Sequence, residues 1–144
     1  MYERQEHVRD RTVALLARLA RRAAEHAELV LDQLLGRESR RSPEAVILRY
    51  ERFVGAGRRP YLAPLMREMR AEFDALLVAV LARAGVSLER TALLRLVAVV
   101  DGTVVNSLIE ADPDPRAAAR AALLARLARR AAMEARSTCS TTRS

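Results

Sequence analysis

The chain has 144 residues, a net charge of +7, and 25 basic side chains, every one of them Arg. That length suits one domain with a single core, and five Gly and five Pro leave little material for the many turns of an all-β fold. A single Cys excludes an internal disulfide and fits a reducing compartment, and no aromatic residue interleaves with the Arg of the basic C-terminal segment, which argues against a base-stacking nucleic-acid site there.

Residues 3 to about 35 read as one long helix. Val8, Leu15, Leu19, Ala23, Val30 and Leu34 recur near helical spacing, with Leu16, Ala20, Ala27 and Leu31 alongside. Gly36 is placed as its C-cap, and RESRRSP after it reads as a mobile loop. Ser42 before Pro43 is an N-cap and first-position pair, starting a second helix through about Val54 that sets Val46, Tyr50, Phe53 and Val54 together. GAGRRP ends it, because Pro60 cannot continue a helix. The third helix has the clearest stripe: Leu62, Leu65, Met66, Met69, Phe73, Leu76, Leu77, Val80 and Ala84, with Gly85 closing it. Arg67, Glu68, Arg70, Glu72 and Asp74 mostly cover its other side.

The next segment poses the central question. Residues 96–108 read LVAVVDGTVVNSL, and Asp101-Gly102 between valine-rich arms is a strong local hairpin signal. Three arguments favour a helix over about 88–110, capped by Ser87. The arms do not alternate, no other segment offers strands to complete a sheet, and the helical projection separates two faces. Arg95, Ala98, Gly102 and Asn106 form a narrow polar or small stripe, opposite Leu93, Leu96, Val97, Val100, Val104 and Leu108.

Asp101 does not fit that division, since it falls among Leu94, Val97, Val105 and Leu108. A carboxyl group there must be paired, protonated or near a cavity. It either bonds an Arg from the preceding helices (Arg49, Arg52, Arg58, Arg59, Arg67 or Arg70) or anchors a ligand in a pocket. Gly102 inside a helix costs roughly 1 kcal/mol relative to Ala, which points to close approach by another helix. Ala98, Gly102 and Asn106 are therefore expected to line a homodimer interface, together with residues of the last helix.

Asp114 and Pro115 start that last helix, which runs through Leu123, Leu124 and Leu127 to about Ala135. The domain is expected to cover residues 1–136, and residues 137–144, with Cys139, to form a disordered basic tail. The positive excess lies at this end, where residues 113–144 carry seven Arg against two acids, and it reads as a solvated basic helix. The charged start MYERQEHVRDR is not a signal peptide, and no uninterrupted apolar run reaches the roughly 18–20 residues of a membrane span. A cytoplasmic protein without a membrane segment is expected.

No catalytic, cofactor or metal site is expected. His7 and His26 lie far from Cys139, no HExxH, CxxC or EF-hand spacing is present, and GAGRRP lacks the ending of a phosphate loop. There is no GxSxG turn, and Glu68 and Glu72 have no ExxH partner for a di-iron site.

The ordered set RYERF, RRP, REMRAEF, VVDG and DPDP, spread over roughly residues 45–130, resembles the C-terminal domain of TetR-type (tetracycline-repressor-like) transcriptional regulators, especially actinobacterial forms. The resemblance implies an all-α bundle of about five helices whose last two helices form a four-helix bundle in a homodimer. It places an effector cavity among the preceding helices, with Tyr50, Phe53, Met66, Met69 and Phe73 as wall candidates beside Val97 and Asp101. It implies a dimer contact through Ala98, Gly102, Asn106, Leu123 and Leu127. The implied function is small-molecule sensing in a repressor, with an unknown hydrophobic effector. DNA would be read only through an N-terminal helix-turn-helix domain, which is not expected within this chain. The competing expectation is a structural helical interaction domain that binds no effector. A closed apolar cavity between the second, third and fourth helices favours the first; a solid core with an exposed apolar groove favours the second.

Overall fold

A computed structural model describes Ala14 and residues 25–141, and among the described residues every regular element is helical. Residues 25–35 form α1. Its core positions Ala27, Val30, Leu31, Leu34 and Leu35 follow the three-and-four spacing of one helical face, and all five are buried. Val8, Leu15, Leu16, Leu19, Ala20, Ala23 and His7 lie outside the described residues. Gly36 ends α1 in the left-handed region, with φ of 83°. A Cβ there would also sit 3.1 Å from Glu38 Oε2, a side-chain tip that can shift, so it is the backbone conformation that favours glycine.

RESRRSP is not the loose loop its composition led us to expect. Arg37–Arg40 form a 3₁₀ turn, and Arg40 grips Asp32 of α1 with Nε and Nη2 at 2.8 and 2.7 Å. Ser39 is buried, its hydroxyl donating to the Gly36 carbonyl at 2.6 Å. Ser42 then caps α2 (Pro43–Ala56) by accepting from the Ala45 amide. Val46 is fully buried, whereas Val54 faces solvent and does not join it.

A 3₁₀ turn at Pro60–Leu62 leads into α3 (Ala63–Arg83). The helix closes at Gly85, φ 79°, with the Val86 amide donating to the Leu81 carbonyl at 2.9 Å. This is the six-to-one bond of a Schellman ending, and the two apolar residues it joins pack on the core. The stripe expected on α3 is only partly covered. Leu77 and Leu81 are buried and Phe73 and Val80 pack against the core, but Leu65 and Leu76 are 51% and 57% exposed.

Residues 96–108 are helical throughout, within α4 (Arg90–Ile109). The hairpin signal fails because burial on one side of the segment is helical: Leu93, Leu96, Val97, Val100 and Val104 all enter the core. Ser87 does not cap this helix; Glu89 holds the N-cap position without a side-chain bond. Asp114 does cap α5 (Pro115–Thr141), accepting from the Ala117 amide at 3.0 Å. α5 continues past the end expected near Ala135, so helical backbone reaches into the segment 137–144 read as a disordered tail; residues 142–144 and the Cys139 side chain lie outside the described set.

α4 and α5 are joined by a five-residue connection and make the most extensive helix pair among α2–α5. Ala119 and Leu123, one turn apart on α5, are fully buried in their shared core. A buried ion cluster ties α5 to α1. Arg116, only 5% exposed, reaches Glu28 Oε2 at 2.7 Å, Asp32 Oδ1 at 3.0 Å and the Ser39 hydroxyl at 2.6 Å. Arg120 adds a 2.6 Å bond to Glu28.

Candidate functional site

α1, α2, α3 and α4 enclose a cavity of about 930 Å³ that is partly open to solvent. Ligand cavities for small organic molecules commonly hold about 300–1,000 Å³, so the space suffices for one. Leu34 and Leu35 approach it from α1. Ala45, Leu48, Arg49, Tyr50, Arg52 and Phe53 come from α2, and Met66, Met69, Arg70 and Phe73 from α3. Val97 and Asp101 close it from α4.

Tyr50, Phe53, Met66, Met69, Phe73, Val97 and Asp101 are thus brought to one wall system. Their one-turn spacing within each helix puts them on the inward edges: Met66, Met69 and Phe73 on α3, Val97 and Asp101 on α4. Val97 is buried, while Phe53 and Met69 are about half exposed, at 44% and 48%. The cavity is open rather than closed, which differs from the form that would have been simplest for an apolar effector.

Asp101 has a partner, and it is not an Arg. The Tyr50 hydroxyl donates to Asp101 Oδ1 at 2.7 Å. Burial pushes the Tyr50 hydroxyl well above the usual tyrosine range, and the bonded Asp101 charge pushes the same way, while Arg49 and Arg70 oppose it. Both guanidinium charges therefore act at the Tyr50–Asp101 pair. Tyr50 and Phe53 meet edge to face, centroids 6.5 Å apart.

The arginines and the Leu34–Glu38 edge were not expected as cavity residues. Arg49, Arg52 and Arg70 are expected from sequence as partners for Asp101, and Arg70 also on the side of α3 away from its apolar stripe, yet all three line the cavity. Their spacing relative to Tyr50 and Phe73 puts them on the rims of the same helix faces, a signal that was available.

A second surface lies on the outside of the α4–α5 pair. Ala98, Gly102 and Asn106 are exposed there, beside Leu94, Val105 and Ile109, and no atom lies within 4 Å of a Cβ built on Gly102. Leu123 does not belong to this surface: it is 0% exposed, held in the chain's own core, and Leu127 packs against the same core. The outward positions of α5 are instead Ala121, Ala125 and Ala128. α4 is long and apolar enough to cross a membrane by length and composition, with 33% of its most apolar window buried in the chain. Its buried face serves the core, and it carries Arg95, Asp101 and Asn106, as a core helix with a second partner can.

These features define an all-helical domain hollowed on one side and ending in a helical hairpin with a small-residue outer face. The chain belongs to the family described as tetracyclin repressor-like, C-terminal domain, which it matches over residues 21–130. Comparison with curated proteins and with solved structures gives no match.

Proposed function

We propose that this chain senses a small molecule and forms a homodimer for a cytoplasmic transcriptional repressor, without catalytic activity of its own. The observation that carries the reading is the cavity of about 930 Å³ bounded by α1–α4 in a member of this family. Its walls combine apolar side chains with a few polar groups, the mixture that gives a ligand site both affinity and orientation. DNA reading is assigned to a helix-turn-helix unit and not to residues 25–141. Dimerisation is supported by the uncovered apolar and small residues of α4 and α5, where Ala98, Gly102 and Ala121 let two backbones approach closely.

The test is thermal unfolding across a panel of amphipathic compounds, since a ligand that binds only the folded chain raises its midpoint. Compounds that stabilise the wild type but not Phe73→Trp, which fills the cavity, support the reading. Equal stabilisation of both chains would falsify the cavity as the sensing site. Gly102→Arg is expected to give a monomer in sedimentation with unchanged helix content.

A second reading, a helical interaction domain without an effector, is favoured by the apolar ridge of Tyr61 in the 3₁₀ turn with Leu65 and Leu76 on α3, all more than half exposed. A panel without any stabilising compound would move the balance to it.

A further inference from the structure

The cavity is mostly apolar, yet three guanidinium groups border it: Arg49 and Arg52 on α2 and Arg70 on α3. Arg49 is the least satisfied of them. Its Nε is buried without a hydrogen-bond partner, and its Nη2 makes only a long 3.5 Å bond to the Gln33 carbonyl. Arg49 Cζ stands 5.1 Å from the centre of the Phe53 ring, and Arg70 Cζ 5.5 Å from that of Phe73. A guanidinium over a ring spends its face on the cation–π contact and keeps N–H donors along its edge for another partner. An unmet buried N–H is unfavourable, and a turn of the Arg49 guanidinium toward an acceptor in the cavity relieves it.

The carboxylates on the same cavity are Glu38 and Asp101, and Asp101 Oδ1 is already taken by Tyr50. The lining carries three cations against two anions, and Asp74 just outside it offsets Arg70, so the cation left for a ligand is chiefly on α2. Arg70 is shared with Asp74 at 3.2 Å but remains half exposed and able to turn.

Resting on the reading of this cavity as an effector site, we propose that it takes an amphipathic anion, with a carboxylate or phosphate headgroup on Arg49 and Arg70 and an apolar body against Met66, Phe73 and Val97. Planar guanidinium donors match either oxyanion, and the apolar walls match a chain or ring attached to it. A cationic headgroup offers these donors no acceptor, and a neutral one accepts without the added strength of opposite charge.

The experiment is calorimetric titration of the intact chain with decanoate, decyl phosphate, decanol and decylamine, each below its micelle-forming concentration. An anion is expected to bind about tenfold to hundredfold more tightly than decanol, as charge-assisted bonds imply, and the tighter anion identifies the headgroup. Arg49→Gln should erase that preference, bringing the anions down to the affinity of decanol, and Arg49→Lys should retain part of it. If Arg49→Gln does not fold by circular dichroism, Arg70→Gln, at a half-exposed side chain, carries the same comparison. Decanol or decylamine binding as tightly as the anions overturns the anion anchor and leaves the effector site standing. Failure of all four compounds to bind overturns both.

Discussion

Tyr50 of α2 donates its phenolic hydrogen to Asp101 of α4 at 2.7 Å, and this bond is what lets the most apolar helix of the domain carry a carboxylate. Removing the donor leaves a part-buried charge with less to hold it. Tyr50→Phe is expected to lower stability by about 1–3 kcal/mol in urea unfolding. Tyr50→Phe combined with Asp101→Leu should cost less than the sum of the single changes, because neither polar group is then stranded. Strict additivity would show that the two side chains do not depend on each other.

The same pair predicts an alkaline limb. Burial, reinforced by Asp101, keeps Tyr50 protonated above the ordinary range, so the unfolded chain gives up this proton first. Stability from Tyr50 is therefore complete below about pH 10, the usual tyrosine value, and declines as the pH rises beyond it. Tyr50→Phe should flatten that decline in thermal unfolding. A wild-type profile that stays level to high pH contradicts the assignment.

At acid pH the governing groups are Glu28 and Asp32. The hydrogen bond from Arg120 chiefly lowers Glu28, against burial and with help from Arg116. For Asp32 burial pushes upward, but bonds from Arg40 and Arg116 outweigh it. Both folded values lie below the ordinary 4.5 and 3.8. Their contribution is thus present above those values and is lost as the pH falls through the lower folded ones. Glu28→Gln with Asp32→Asn should give a less stable chain at neutral pH and a shallower loss between neutral and strongly acid solution.

Arg116 holds both of these acids and the Ser39 hydroxyl from a nearly fully buried position. Arg116→Met is expected to cost about 3 kcal/mol, near the low end for breaking a buried pair, because Glu28 keeps Arg120 and Asp32 keeps Arg40. Arg116→Lys should recover little, since an ammonium cannot span three acceptors with a planar fork. Equilibrium unfolding in urea measures both.

How far these features could be read in advance depended on what decides them. The helix through Asp101-Gly102 was legible because the apolar positions from Leu93 to Val104 share one arc, whereas Tyr50, Phe53, Met66, Met69 and Phe73 were wall candidates only through the family resemblance, since their spacing fits an ordinary core equally well. Which apolar stripe would be covered was not legible. Periodicity places Leu65, Leu76 and Leu77 on one face of α3, yet only Leu77 is buried, and Leu81 from outside the stripe joins it. Leu123 was misplaced for the same reason: an apolar position fits a chain's own core or a partner equally well. The ion cluster left a faint signal. Arg116 stands in the first turn of α5, where a cation is disfavoured by the helix dipole. Glu28 and Asp32, one turn apart, repel unless a cation joins them. Only folding shows that these two anomalies answer each other.

Ala111 follows α4 in the left-handed region at φ 54°, the one non-glycine residue there among the described residues. The Asp112 amide donates to the Ser107 carbonyl at 2.9 Å, so the backbone needs this turn to close the helix. A Cβ in that conformation is strained, by roughly 1–2 kcal/mol, against glycine's larger entropy when unfolded. Ala111→Gly should therefore stabilise the chain by about 0.5–1 kcal/mol net. A lower unfolding midpoint would mean the strain is relieved in some other way.

Gly102 poses the opposite case, because its cost is in plain helix and, its own helix backbone aside, no described residue lies within 4 Å of where its Cβ would stand. For a lone chain Gly102→Ala should stabilise α4 by about 0.5–1 kcal/mol through helix propensity alone. If the outer face of α4 pairs with a second copy, as proposed, the added methyl group pushes two backbones apart at the same time. The two effects separate by concentration. At low micromolar protein the variant should unfold at or above the wild-type temperature, while the rise of the wild-type midpoint with concentration, the mark of linked association, should weaken in the variant. A variant that keeps the full concentration dependence would place the contact between copies away from Gly102, and the glycine would then be without a packing reason.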